Sequence, residues 1–181
     1  IEFAEVASMG MELLSHPYFK HFYNNSNANR ARRNHLENIV SILPWIATID
    51  SFQHWIYQNP THSHQERYQK WLNLNERFGP SINLNEFEEI HKISWQKQLH
   101  LFCCPLYYIE YGIAQLGSLQ LWCNSKKNEK DSISKYKKAL SLGGSKSLPE
   151  LFNACGINFS FSEKMIAPLA EVIENEIISL Y

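Results

Sequence analysis

His100–Gly112 reads HLFCCPLYYIEYG and is the most informative stretch of this chain. One histidine is followed by Tyr107, Tyr108 and Tyr111 within about three helical turns, and an apolar helical pattern then runs to Trp122. Histidine and tyrosine donate hydrogen bonds while neutral, so they can stabilise a developing oxyanion. The same spacing is also that of a core helix whose phenol groups find polar partners. Residue spacing alone leaves both interpretations open.

Helical apolar spacing continues outward from this stretch through most of the 181 residues. It predicts an all-α, multi-helix fold in which residues 1–181 form a single helical fragment. The expected helices cover residues 1–14, 36–56 with a kink at Pro44, 61–78, 87–101, 106–122, 133–142, 148–155 and 162–180. Polar loops are expected at residues 24–29 and 125–131. Thr61 is expected to cap the helix that follows it, and Ser147 is expected to form a capping box with Glu150. No strand pattern or internal repeat is convincing.

The composition and net charge of the chain argue against some classes of function. Hydrophobic residues make up 44% of the chain, enough for a packed core, and the formal net charge is −1. That charge argues against nucleic acid as a partner, and we interpret the basic run at 30–33 as a solvated helix start. No apolar run is long enough to span a bilayer and no signal peptide is visible, so we expect no membrane partner.

The cysteines are Cys103, Cys104, Cys123 and Cys155, without CxxC spacing. We interpret them as reduced and mostly buried, which is typical of a cytoplasmic protein. The sequence starts at Ile1 without Met, with the helical pattern already under way. We therefore expect a fragment of a longer protein.

A second chemical pattern lies near the N-terminus, in FAEVASMGMELL. Glu5, Ser8 and Glu12 share one helical face. Carboxylates on an otherwise apolar helix are costly to bury unless they are paired or bind a metal. Taken alone, the pattern also fits an ordinary amphipathic helix.

Two further patterns are weaker. Asp50 and His54 lie four residues apart on one helical face, which suits either a carboxylate that orients an imidazole or a surface pair. Gly143, Gly144 and Ser145 lack the frame of a phosphate-binding loop, and a flexible loop beside a cleft is the better interpretation.

Three blocks in the same order along the chain resemble the oligoendopeptidase F and thimet-oligopeptidase family of zinc metallopeptidases. They are FAEVASMGMELL, HLFCCPLYYIEYGIAQLGSLQLW and GGSKSLPELFNACGI, and IDSFQHWIY adds to the resemblance. The family implies the C-terminal part of a helical catalytic domain that hydrolyses short peptides with one zinc ion per intact chain.

The resemblance also implies roles for single residues. Glu5 corresponds to the third zinc ligand, and Glu12 to a carboxylate that supports the metal site together with Ser8. His100 and Tyr111 correspond to groups that stabilise the tetrahedral intermediate and bind the substrate backbone, and Tyr107 or Tyr108 supplies a further phenol.

The sequence departs from the family pattern at one decisive point, because it contains no HExxH motif. The family takes its other two ligands and its general base from that motif, upstream of the Glu5 block. We therefore expect the missing N-terminal part of the same protein to supply them, and the 181 residues alone to be inactive.

Two other functions remain open at this point. One is a catalytically degenerate helical domain that binds peptides or a protein partner through an aromatic groove. The other is a purely structural helical module in which His100 and the tyrosines belong to the core.

Overall fold

A computed structural model describes residues 2–181, apart from the side chains of Glu2 and Asn85. The predicted all-α class is confirmed, since no strand occurs within this range. The helices are α1 (Glu2–Leu14), α2 (Asn25–Gln58), α3 (His64–Phe78), α4 (Glu88–His91), α5 (His100–Cys103), α6 (Ile109–Lys127), α7 (Glu129–Leu142), α8 (Leu148–Cys155) and α9 (Glu163–Ser179). Short 3-10 turns cover His16–His21, Asn85–Phe87, Ser94–Lys97 and Gly143–Ser145. The expectation that Ile1 already lies in a helix falls outside the described residues.

The chain divides into two compact units. The first contains the residues up to Val40 together with Ile113–Tyr181, and the second is Ser41–Gly112. The boundaries fall inside α2 and α6. Within the described residues, no helix is both long and apolar enough to cross a lipid bilayer.

The core of the first unit forms where α1, α6, α7 and α8 bury their apolar faces. Phe3 and Phe152 meet edge to face with ring centroids 6.0 Å apart. Gly117 lets α6 approach α8 closely, because a Cβ at this position would lie 2.9 Å from the Phe152 ring. The hydroxyl of Tyr136 donates to the backbone oxygen of Ala7 at 2.7 Å, which ties α7 to α1.

The core of the second unit is built on aromatic rings. Phe52 of α2 packs against Trp71 of α3 and against Trp95, with centroids 5.0 and 5.6 Å apart. The Trp71 indole N–H donates to the backbone oxygen of His91 and to the hydroxyl of Ser94, both at 3.0 Å. These bonds satisfy the one polar atom of a fully buried ring.

Several helix boundaries differ from those that the sequence predicts. Residues 24–29 were expected to be a loop, but α2 already starts at Asn25, and the Asn24 side chain accepts a bond from the Asn27 N–H at 2.9 Å. The expected loop at 125–131 was also wrong, because α7 begins one residue after Asn128 and that side chain caps it. Asparagine side chains at these positions cap helices instead of opening loops.

Another correction concerns residues 87–101, which were expected to form one helix. They contain α4, a 3-10 turn and the start of α5. The cap expected at Thr61 lies at Ser63, which forms a capping box with Glu66. The capping box at Ser147 and Glu150 is confirmed.

The interpretation of the cysteines is only partly right. All four are free, but Cys155 alone is buried, while Cys104 and Cys123 are partly exposed and Cys103 is exposed.

Candidate functional site

The second unit brings four predicted site residues together: His100, Tyr107, Tyr108 and Tyr111, called here the His–Tyr cluster. The His100 ring lies 5.0 Å from the Tyr108 ring and 5.7 Å from the Tyr111 ring, centroid to centroid. Tyr111 also meets Tyr107 at 5.5 Å and Tyr108 at 5.4 Å. All four contacts are edge to face, the arrangement that aromatic quadrupoles favour.

Hydrogen bonds orient the imidazole of His100 from both sides. Its Nδ1 lies 2.8 Å from Nε2 of Gln98, and its Nε2 lies 3.3 Å from the hydroxyl of Tyr111. Because the Gln98 amide nitrogen can only donate, Nδ1 accepts and the ring proton belongs on Nε2. A neutral His100 therefore directs an N–H towards the phenol oxygen of Tyr111.

The three tyrosines differ in their surroundings. Tyr108 is only 8% exposed, and its hydroxyl oxygen accepts a bond from the indole N–H of Trp45 at 3.2 Å. Tyr107 and Tyr111 are half-buried. The helix was expected to start at Leu106, but α6 starts at Ile109, so Tyr107 and Tyr108 precede it. Tyr107 nevertheless reaches Tyr111 from the turn.

That turn contains an unusual backbone conformation. Leu106, just after Pro105, has φ 58°, the only positive value at a non-glycine residue within the described range. Its N–H donates at 2.9 Å to the side-chain oxygen of Gln53, which is 2% exposed. A non-glycine residue at positive φ persists where the surrounding structure holds it.

Gln53 was not singled out from the sequence, although a signal was there. It lies on the apolar face of α2, four residues after Ile49 and three before Ile56. A lone amide on a buried helical face needs a hydrogen-bond partner. The partner itself, 53 residues away, carried no sequence signal.

In the first unit, α1 presents the predicted carboxylate face. The Ser8 hydroxyl donates to the backbone oxygen of Glu5 at 3.1 Å and lies 3.5 Å from its Oε2. Glu5 is half-buried. Glu12 is exposed and pairs with His35 of α2, Oε2 to Nε2 at 3.4 Å.

No sequence pattern indicated the contact that continues from His35. Its Nδ1 lies 2.7 Å from Nε2 of His16, which is buried beside the Trp122 ring. Burial lowers the pKa of His16 to about 3, and the nearby Arg32 and Lys126, together with His35 when it is protonated, act in the same direction. Burial also lowers the pKa of His35, while the Glu12 carboxylate opposes that effect.

The described side chains do not complete a metal site. No group of three or more histidine, cysteine, aspartate or glutamate side chains is placed to hold an ion. Glu5 has the right donor chemistry for a single carboxylate ligand of zinc.

The two weaker patterns are the Asp50–His54 pair and the Gly143–Ser145 segment. Nε2 of His54 lies 3.6 Å from Oδ2 of Asp50, and burial raises the pKa of the Asp50 carboxyl while His54 opposes the rise. Gly143–Ser145 forms a 3-10 turn in which Gly143 has φ 53°. Gly143 and Gly144 line an open cavity of about 530 Å³ with Ala4 and Ala7 of α1.

Replacing Gln53 with leucine tests the support of the turn. We expect the free energy of unfolding to fall by about 1 kcal/mol, because the Leu106 N–H loses its partner. Amide exchange over residues 104–108, followed by mass spectrometry, should accelerate. The matched variant Gln96→Leu, at an exposed position of the same unit, should leave that exchange unchanged. Unaltered exchange in Gln53→Leu would contradict the assignment.

The buried His16 predicts a pH dependence of stability. Between pH 6.5 and about 3 the unfolded chain binds a proton at this residue that the folded chain does not, so stability decreases as the pH falls. His16→Gln removes this contribution. The stability lost between about pH 6.5 and about pH 5 should then shrink by up to about 2 kcal/mol, measured by urea unfolding. Equal losses in the two proteins would rule out the buried neutral imidazole.

Comparison with known proteins gives one consistent result. Among curated proteins, an oligoendopeptidase F homolog of Borreliella burgdorferi is 30% identical over 87 residues, covering 48% of this chain and 14% of that protein. Among solved structures, PZ peptidase A with inhibitor 2 is 28% identical with a TM-score of 0.89, covering 99% of this chain and 32% of that one. A putative oligoendopeptidase F from Bacillus anthracis is also 28% identical, with a TM-score of 0.78, covering 98% of this chain and 28% of that one.

The chain thus spans about a third of the solved structures it matches and a seventh of the curated relative. The sequence profile of Peptidase family M3 matches residues 1–171, nearly the whole sequence. This match shows that the chain belongs to peptidase family M3.

Proposed function

We propose that this chain is part of a zinc-dependent endopeptidase that hydrolyses short peptides. Membership of peptidase family M3 supports peptide hydrolysis as the activity of the complete protein. The observation that carries the proposal is the His–Tyr cluster, in which an imidazole and neighbouring phenols are held in contact.

Glu5 is the proposed zinc ligand of this chain. It is a half-buried carboxylate on α1, with Ser8 at its side. Zinc, when bound, acts as a Lewis acid on the peptide carbonyl. Two more protein ligands are typical of such a site. In this proposal they come from the remainder of the protein, because the 181 residues contain no HExxH pattern.

His100 and Tyr111 are the proposed donors to the oxygen that becomes negative when the peptide bond is attacked. Both donate while neutral, so neither has to lose a charge or a proton during the step. Gln98 fixes the imidazole with its proton on Nε2, and that N–H, which faces the Tyr111 oxygen here, is shared with the substrate oxygen in this proposal. Tyr107 is the better candidate for a third donor, since it is half-buried whereas Tyr108 is only 8% exposed.

The remaining predicted residues take supporting roles. Glu12, through His35 and His16, connects the exposed end of the carboxylate face to the interior of the first unit. Asp50 and His54 are proposed to stabilise α2 near the turn that Gln53 supports. Gly143–Ser145 remains the proposed substrate-binding loop, supported by its position at an open cavity.

Partners and location follow from the same proposal. Short peptides are the substrates, and the other contact is with the rest of the same protein. The net charge of −1 supports the exclusion of nucleic acid. Four free cysteines support a cytoplasmic location.

Zinc content tests the role of Glu5. In the full-length protein that carries this chain, we expect about one zinc per molecule, and we expect Glu5→Ala to lose both zinc and peptide cleavage because a charged ligand is gone. Glu171→Ala, at an exposed carboxylate of α9, should keep both. Full zinc occupancy in Glu5→Ala would refute the assignment, and an unmodified protein without zinc or cleavage would refute the proposed function.

The Tyr111 hydroxyl is tested by kinetics. We expect Tyr111→Phe to lower kcat by about 100- to 1000-fold with little change in KM or melting temperature, because one oxyanion donor is removed. Tyr57→Phe, at a half-exposed phenol of the same unit, should retain full activity. A lower melting temperature with unchanged kcat would instead assign Tyr111 to the core.

A further inference from the structure

Cys103 and Cys104 form a pair of adjacent thiols within the block that carries the His–Tyr cluster. Their Sγ atoms lie 3.5 Å apart in hydrogen-bonding contact, and both cysteines are free. The Cys103 thiol also donates to the backbone oxygen of Leu99 at 3.3 Å. We call these two residues the dithiol pair.

Adjacency works against a disulfide between these sulfurs. Neighbouring Cα atoms across a trans peptide are about 3.8 Å apart, whereas disulfides usually join Cα atoms that are about 4.4–6.8 Å apart. A bond between the pair would therefore be strained and easily reduced. The two thiols therefore lie close together without readily forming a disulfide.

The pair is accessible and borders an apolar surface. Cys103 is exposed, and its neighbour Phe102 is 58% exposed. Leu99, which accepts the Cys103 bond, is 67% exposed, and Leu106 is 42% exposed. A ligand with a thiophilic atom and a small apolar substituent fits this combination of sulfur and hydrocarbon.

We propose that the dithiol pair is a binding site for monosubstituted trivalent arsenicals, with one arsenic atom held by both sulfurs. The reaction with an arsine oxide is balanced without any oxidant. The two S–H bonds break, two As–S bonds form, arsenic stays trivalent, and its oxygen leaves as water with the two thiol protons.

Chelation by two sulfurs distinguishes this site from an ordinary cysteine. Once the first As–S bond has formed, the second sulfur reacts within the same molecule, at a high effective concentration. The cyclic adduct should therefore resist a competing monothiol about 100-fold better than an adduct on one cysteine.

Binding at the pair has a consequence for the neighbouring imidazole. Cys103 and His100 belong to the same four-residue helix, and the Cys104 N–H donates to the backbone oxygen of His100 at 3.2 Å. An arsenic atom on both sulfurs replaces the thiol bond to Leu99 and constrains this turn. If the proposed peptidase function holds, on which this consequence alone rests, the adduct should inhibit cleavage.

The experiment titrates the reduced full-length protein with phenylarsine oxide and counts adducts by intact-protein mass spectrometry. The unmodified protein should gain one adduct that survives 2-mercaptoethanol and is removed by 2,3-dimercaptopropanol. Cys103→Ser and Cys104→Ser should each lose that stable adduct. Cys123→Ser, which leaves the pair intact, should retain it.

The outcomes separate the two proposals. A stable adduct that persists in either single variant of the pair, or that never forms, overturns the arsenical site. Loss of the adduct in both variants establishes the site by mass alone, whether or not the protein cleaves peptides. An adduct that forms fully and leaves existing cleavage unchanged removes the inferred link to His100 while the binding site stands.

Discussion

One partly buried hydrogen bond supports the turn that leads into the candidate site of the second unit. The amide oxygen of Gln53 accepts the N–H of Leu106 at the point where the backbone turns with a positive φ. Residues 107–111 come directly after that turn in the chain, so their positions depend on it. Gln53 lies next to Phe52 in α2, beside the aromatic core. The positions of the tyrosine hydroxyls therefore depend on how α2 packs.

The first unit meets a different constraint, because α1 must bury one face and leave the other polar. One face, with Phe3 and Val6, is buried among α6, α7 and α8. The other presents Glu5, Ser8 and Glu12, where a carboxylate can keep its charge without being surrounded by hydrocarbon. A helix satisfies both needs at once, since its side chains repeat every 3.6 residues. The rigid core behind α1 is what gives a carboxylate on its surface a defined position.

The sequence predicted the helical class and the capping box at Ser147 correctly, because these depend on local periodicity and local hydrogen bonds. The predictions from sequence were wrong where a polar residue can either belong to a loop or cap a helix. Asn24 and Asn128 were taken as loop residues but cap helices, so the expected loops were much too long. The Gln53–Leu106 and His16–His35 contacts join residues far apart in sequence, and no local pattern encodes such pairs. The roles of Glu5, His100 and the tyrosines stay predictions that depend on the resemblance.

The contact between His16 and His35 also fixes the order of protons along a chain of polar atoms. Two neutral rings joined through Nε2 and Nδ1 can share only one proton at that junction. If His35 donated there, its Nε2 would turn a bare lone pair towards the Glu12 carboxylate 3.4 Å away. Repulsion disfavours that order, so His16 donates, His35 passes its own N–H to Glu12, and Nδ1 of His16 is left as an unprotonated lone pair in the interior, in agreement with its lack of a hydrogen-bond partner. The polar chain consequently has a direction, from the interior of the first unit to its surface.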